Sequence, residues 1–269
     1  MPVFWFALLS VTGINWQHTA VLFIIIHLLV YPASNAYNSY MDRDTESIGG
    51  ISKPMEPTRQ LFIVSVVMDA TALFLSLLIS IHTMAGVGLY ILFSRLYSFR
   101  GIRLKQYPVI GFLTVILNQG GLIFYLVYQT AVTQQQITLP WSGILTAILL
   151  IGGFYPLTQV YQHKADKKDG VTTISMLLGI RGTFLFCMGL YALAFGCMFF
   201  YITSFTTIAS FLTIQLFFLP VLLYFFYWMN MVWKDATQAS FKHTMKMNWI
   251  ASVCTNAAFI YILIQQQIG

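Results

Sequence analysis

Continuous apolar runs of about twenty residues, almost free of charge, constrain this chain more than any other feature. A run of that length is what an α-helix needs to cross the hydrocarbon core of a bilayer. Only 8% of the 269 residues are charged, against 58% hydrophobic. A soluble domain carries roughly 25% charged residues, so a soluble globular enzyme is excluded, as are a disordered chain and a collagen-like fibre. A transmembrane β-barrel would alternate apolar and polar residues in segments of about ten, which this sequence does not do. The chain therefore reads as all-α: a polytopic membrane helix bundle of about nine spans, forming a single membrane-embedded domain over residues 1–269. The windows fall near 3–14, 18–41, 60–82, 85–98, 107–131, 140–164, 183–203, 206–230 and 247–267. The first and fourth are short. The first lacks the basic n-region and small-residue cleavage site of a signal peptide, so a short or truncated first helix is expected.

The charge distribution gives orientation. All 14 lysines and arginines fall in alternate loops or at the helix ends beside them. They are Arg43, Lys53 and Arg59; Arg95, Arg100, Arg103 and Lys105; Lys164, Lys167, Lys168 and Arg181; and Lys234, Lys242 and Lys246. The intervening loops, reading GINW, HTMAG, TQQQITL and TSFTT, carry none. By the positive-inside rule the basic face is cytoplasmic, and the alternation supports the span count. Asp42, Asp44, Glu46, Glu56, Asp166, Asp169 and Asp235 share that face, and only Asp69 lies inside a span. Anchoring to anionic lipid needs cations alone. Acids and bases together on one face point to a site that handles a metal and an anion. Asp69 is a candidate for function by its depth, or an interior hydrogen-bonded acid.

Two polar stripes stand at that mouth. Asn35, Asn38, Asp42 and Glu46 have the spacing of one helix face and run toward Gly49-Gly50, a helix terminator. Tyr155, Gln159, Gln162 and Asp166 repeat the spacing before Gly170, and both segments begin Tyr-Pro. Polar side chains inside a span are costly and face a cavity or the bundle interior. Stacked oxygen ligands on two facing helices suit Mg²⁺, which takes one or two carboxylates together with phosphate oxygens and water. The three cysteines, Cys187, Cys197 and Cys254, and the five histidines show no metal-ligand spacing. Phosphate loops, zinc motifs, catalytic triads and nucleic-acid modules are not evident, and topology accounts for the basic loops without a nucleic-acid partner.

At these stripes the sequence resembles the UbiA superfamily of intramembrane prenyltransferases, which has nine helices and aspartate-rich motifs at the ends of helices 2 and 6. Asn38, Asp42 and Glu46 match the four-residue spacing of the first motif, with Glu in place of the last Asp, and Lys53-Pro54 matches the Lys-Pro that follows. A second register, Asn35, Asn38 and then Asp42 last, fits as well. In the second motif Gln162 stands where the first acid is expected, Asp166 matches the second, and Gly170, Thr173, Leu178-Gly179 and Arg181 continue the match. The segment YSFRGIRLKQYP, with Tyr97, Arg100, Arg103 and Lys105, is similar to the family's basic loop, and Asn118 sits where the family often has a polar residue.

The resemblance implies a Mg²⁺-dependent transfer of an isoprenyl group from a prenyl diphosphate to a small acceptor, in the family often aromatic. Asn38, Asp42, Glu46 and Asp166 would hold the metal and carry the chemistry. Asn35, Lys53, Arg100, Arg103, Lys105, Asn118, Tyr155, Gln159, Gln162, Asp169 and Arg181 are substrate-binding candidates. Tyr37, Tyr155 and Tyr161 are candidates for shielding an allylic cation. A bacterial cytoplasmic membrane is the expected location. The alternatives are a UbiA-type terpene cyclase, which needs no acceptor, a transporter, and an inactive relative. Transporters place polar groups at the bilayer midplane rather than at one interface. Gln162 keeps the inactive relative open.

Overall fold

A computed structural model describes residues 2–43, 47, 50–133 and 139–268 of the chain. The described residues form helices and no strand. Ten helices define the architecture. Helix α1 is Pro2–Leu8, α2 is Trp16–Asp42, α3 is Arg59–Ile79 and α4 is Ile81–Ser98. Helix α5 is Pro108–Ala131, α6 is Trp141–Phe154 and α7 is the short His163–Lys168. The last three are α8, Ile174–Thr203, α9, Ile208–Lys234, and α10, Phe241–Ile268.

Seven of the described segments are long and apolar enough to cross a bilayer. Helices α1 and α4 are the short first and fourth segments expected from the sequence. Side chains such as Leu28, Phe74, Leu78, Leu216, Leu223 and Trp249 are exposed on the outside of the bundle. That surface belongs in lipid, and the protein is a multi-pass membrane protein.

Local chemistry sets where helices start. The Asn15 side chain accepts from His18 N–H at the head of α2, and Ser80, Thr173 and Thr207 cap α4, α8 and α9 in the same way. These caps satisfy backbone donors that have no intrahelical partner. Short α1 is buried rather than peripheral. Phe4, Phe6, Ala7 and Leu8 are almost fully covered, and the Phe6 ring meets Phe124, Tyr201 and Phe259.

Two π-helical turns interrupt the long helices, at Ile25–Val30 in α2 and Ile116–Leu122 in α5. The second carries Asn118, Gln119 and Gly120, and at Gly120 α5 touches α6 backbone to backbone. A Cβ on Gly120 would lie 2.8 Å from Ile148 Cα and 2.9 Å from the Ala147 carbonyl oxygen. Neither atom can rotate away. Gly120→Ala should therefore force the helices apart and destabilise the fold by roughly 1–3 kcal/mol, read as a lowered unfolding temperature in detergent; an unchanged temperature would contradict this packing.

Two sequence expectations need correction. Helix α2 does not run on to Gly49-Gly50: it ends at Asp42, where Arg43 turns left-handed (φ 55°) and its N–H bonds back to the Ser39 carbonyl. Gly49 and Glu46 lie outside the described residues. The helix expected over 140–164 also breaks. Pro156 cannot donate to the preceding turn, so the chain tightens into a 3₁₀ turn over Tyr155–Thr158 and restarts as α7. The second stripe is therefore not one continuous helix face. Arg95, which the sequence places at a helix end, lies in the last turn of α4 and pairs with Asp69 of α3, so Asp69 is an interior, paired acid.

Candidate active site

Both stripes converge on one cavity of about 490 Å³ at the charged end of the bundle. Helix α2 contributes Asn35, Asn38 and Asp42, and the broken segment after α6 contributes Tyr155, Gln159, Gln162 and Asp166. The spacing on α2 works as a helix face. On the other side, the 3₁₀ turn and the turn before α7 bring four residues to the same cavity by a different path. Gly170, left-handed at φ 69°, ends α7, and the Val171 N–H reaches the Asp166 carbonyl at 2.9 Å.

The loop between α4 and α5 supplies the cations. Arg103 adopts a left-handed conformation (φ 49°), held by its N–H to the Phe99 carbonyl at 2.7 Å. This turn brings Arg103 and Lys105 over α2. Lys105 Nζ pairs with Asp42 and stands 3.5 Å from Asn38 Oδ1. Arg103 pairs with Asp169 and reaches Asp42 Oδ1 at 3.4 Å. Arg100 lies 3.5 Å from Asp169 and donates to the Met41 carbonyl at 2.6 Å. Arg103 is 8% exposed, and its Nε has no hydrogen-bond partner among the described residues. A donor left in that state is costly in a protein interior.

Of the residues singled out from sequence, Asn35, Asn38, Asp42, Lys105, Asn118, Tyr155, Gln159, Gln162 and Asp166 line the cavity. Arg100, Arg103 and Asp169 form the ion-paired rim beside it. Lys53 stands exposed in the segment before α3. Arg181 donates to the Trp233 carbonyl at 2.8 Å, and neither residue reaches the cavity. Of the tyrosines, Tyr155 and Tyr161 line it. Tyr37 instead lies under the Arg95 guanidinium, 3.9 Å from ring centroid to Cζ. Glu46 is outside the described residues.

Helix α4 supplies further wall residues, of which the sequence resemblance names Tyr97 but not Ser94 or Ser98. Ser98 donates to Asn38 Oδ1 at 2.5 Å. The Tyr97 hydroxyl bonds that of Tyr155, joining α4 to the second stripe. Ser94, Tyr97 and Ser98 fall on one face of α4 by their three- and four-residue spacing. The same signal exposed the other stripes, but here it is written in small hydroxyls. His163 on α7 faces away to the Ser175 hydroxyl at 2.8 Å. Burial lowers its pKa, so it stays neutral near pH 7 and clamps the turn into α8.

The donor set fits a hard cation. Asn38 Oδ1 and the carboxylates of Asp42 and Asp166 are oxygens lining one cavity. Among the described residues no three His, Cys, Asp or Glu side chains form a ligand cluster. A metal here would rely on few protein ligands, completed by water and phosphate oxygens, as Mg²⁺ does. Lys105, seated on Asp42 beside the Asn38 oxygen, shows that this face attracts positive charge.

The sequence model of the UbiA prenyltransferase family matches residues 1–250. Solved structures share the fold over nearly the whole chain. A UbiA homologue from Aeropyrum pernix K1 superposes with a TM-score of 0.73 at 16% identity, covering 97% of this chain and 96% of that one. A UbiA homologue from Archaeoglobus fulgidus bound to GPP and Mg²⁺ gives 0.68 at 17% identity, covering 97% and 94%. A digeranylgeranylglyceryl phosphate synthase gives 0.63 at 21% identity, covering 97% and 91%. No curated protein matches the sequence.

Proposed function

This chain belongs to the UbiA prenyltransferase family, and on that premise we propose that it transfers an isoprenyl group from a prenyl diphosphate to a small acceptor within the membrane, with Mg²⁺. One observation carries the reading. Asn38, Asp42, Asp166 and Lys105 line a single cavity at the end of an otherwise apolar bundle, with Lys105 and, from the rim, Arg103 paired to Asp42. The relative solved with GPP and Mg²⁺ supports the substrate class.

In this reading the diphosphate head group lies at the mouth. Lys105 turns part of its charge from Asp42 toward the phosphate oxygens, with Arg103 adding positive charge from the rim. Mg²⁺ held by Asn38, Asp42 and Asp166 would supply the remaining neutralisation. The allylic C–O bond breaks with its electron pair leaving on the diphosphate. Stabilising that developing charge is the main catalytic contribution. The acceptor then bonds to the allylic carbon and loses a proton. Tyr97, Tyr155 and Tyr161 line the cavity and offer aromatic rings to the cation. The basic face is cytoplasmic by the positive-inside rule, and a bacterial cytoplasmic membrane is the setting we infer.

The test is diphosphate release from geranyl, farnesyl and longer prenyl diphosphates by purified protein in detergent, with and without Mg²⁺ and a panel of phenolic acceptors. Release that requires both Mg²⁺ and an acceptor is expected. Release without acceptor would make the protein a cyclase. No release from any donor by well-folded protein would overturn the proposal.

A further inference from the structure

Lys105 stands where a metal would have to bind. Its ammonium pairs with Asp42 Oδ2 and lies 3.5 Å from Asn38 Oδ1. Ser98 donates to that same amide oxygen at 2.5 Å, and Arg103 reaches Asp42 Oδ1 at 3.4 Å. The α2 oxygens assigned to Mg²⁺ therefore each carry a cation or a donor already. The Lys105 and Asp42 side chains are both 10% exposed, so water screens the pair poorly. A carboxylate oxygen gripped by an ammonium cannot at once enter the tight octahedral shell of Mg²⁺. With Lys105 and Arg103 both on it, Asp42 also has no charge left to draw a third cation.

The two cations differ in what else holds them. Arg103 is anchored by Asp169, through its carboxylate and through its carbonyl at 2.9 Å. Lys105 Nζ bonds nothing among the described residues but Asp42 and Asn38. Its backbone is fixed. Lys105 lies in the 3₁₀ turn Leu104–Gln106, pressed so closely on α5 that a Cβ on Gly111 would lie 3.0 Å from Lys105 Cα. The movable part is the flexible four-carbon stem, which lets an ammonium exchange one oxygen partner for another. Resting on the proposed Mg²⁺-dependent prenyl transfer, we infer that Lys105 holds the metal's place on Asp42 and yields it when a diphosphate arrives to take the ammonium. Donor and metal binding are then coupled through one side chain, each favouring the other, and the protein resists loading with metal alone.

The test reads metal binding without turnover. Mn²⁺, which takes the same oxygen ligands as Mg²⁺, is titrated into the purified full-length chain in detergent and followed by electron paramagnetic resonance of the free ion. Added alone, it should bind Lys105→Met about tenfold more tightly than the wild type, because Asp42 is released. Arg100→Gln removes a cation that pairs with Asp169 and should change the affinity about twofold or less. With saturating inorganic diphosphate the advantage of Lys105→Met should vanish or reverse. Equal Mn²⁺ affinity in wild type and Lys105→Met, or an equal gain in Arg100→Gln, would overturn the inference. Lys105→Gln is read in the same way if Lys105→Met does not fold. Mg²⁺-dependent binding of geranyl diphosphate to the wild type is measured in parallel. Its absence counts against prenyl transfer itself, whereas unchanged metal affinity in the variant beside intact geranyl diphosphate binding counts only against this role of Lys105.

Discussion

Asp42→Asn should lower prenyl diphosphate turnover on the order of a hundredfold or more, the scale of removing one preorganised charge from a transition state. Asp42 stands where three influences meet. It shares a helix face with Asn38, it is paired by Lys105 and Arg103 from the α4–α5 loop, and it lines the cavity opposite the Asp166 segment. Asparagine keeps the shape and one oxygen but removes the charge. Lys105 and Arg103 would then be freer to bind phosphate. Geranyl diphosphate binding without Mg²⁺ should therefore hold steady or tighten, while the gain in affinity on adding Mg²⁺ should shrink. Titrating Mg²⁺ against diphosphate binding, beside turnover, separates this from general damage to the fold. A variant with unaltered Mg²⁺ dependence and turnover would remove Asp42 from the metal-binding role.

Asp69→Ala should reduce stability by roughly 3–5 kcal/mol, the cost of stranding one member of a buried ion pair. The Arg95 and Asp69 side chains are 17% and 11% exposed. Arg95 also donates to the Ser65 hydroxyl and carbonyl at 3.2 and 3.1 Å and covers the Tyr37 ring. The cluster ties α2, α3 and α4 together behind the cavity wall. Without Asp69 the guanidinium keeps its weaker partners but not its counter-charge. Thermal unfolding in detergent should show a large fall for Asp69→Ala and a smaller one for Asp69→Ala with Arg95→Leu, because the double variant strands no charge. Equal losses would mean that packing, not the ion pair, holds these helices.

Much of the site was legible because membrane chemistry makes polar residues conspicuous. Asn35, Asn38 and Asp42 stand out from an apolar background at helical spacing, and they share the cavity because α2 remains helical through all three. The second stripe reached the cavity by a route that spacing did not describe: Pro156 unwinds the helix, yet Tyr155, Gln159, Gln162 and Asp166 all line the same space. Arg95 and Asp69 show the opposite case. One is numbered with the basic loops and the other lies alone in a span, and only the packing of α3 against α4 makes them a pair. Ser94 and Ser98 passed unselected because serine is common between packed membrane helices, so its type carried little signal.

Class, span pattern and the charged face were determined by composition and periodicity, since the bilayer penalises every unpaired polar group and leaves little choice of backbone. The partners of each charge were decided only in three dimensions. Whether Lys105 grips Asp42, Lys53 stands in solvent or Asn118 keeps a free oxygen depends on where loops and helix breaks place atoms within a few ångströms. Hydrogen bonds and ion pairs fall off over that range, whereas hydrophobic burial is non-directional and roughly proportional to the apolar area removed from water.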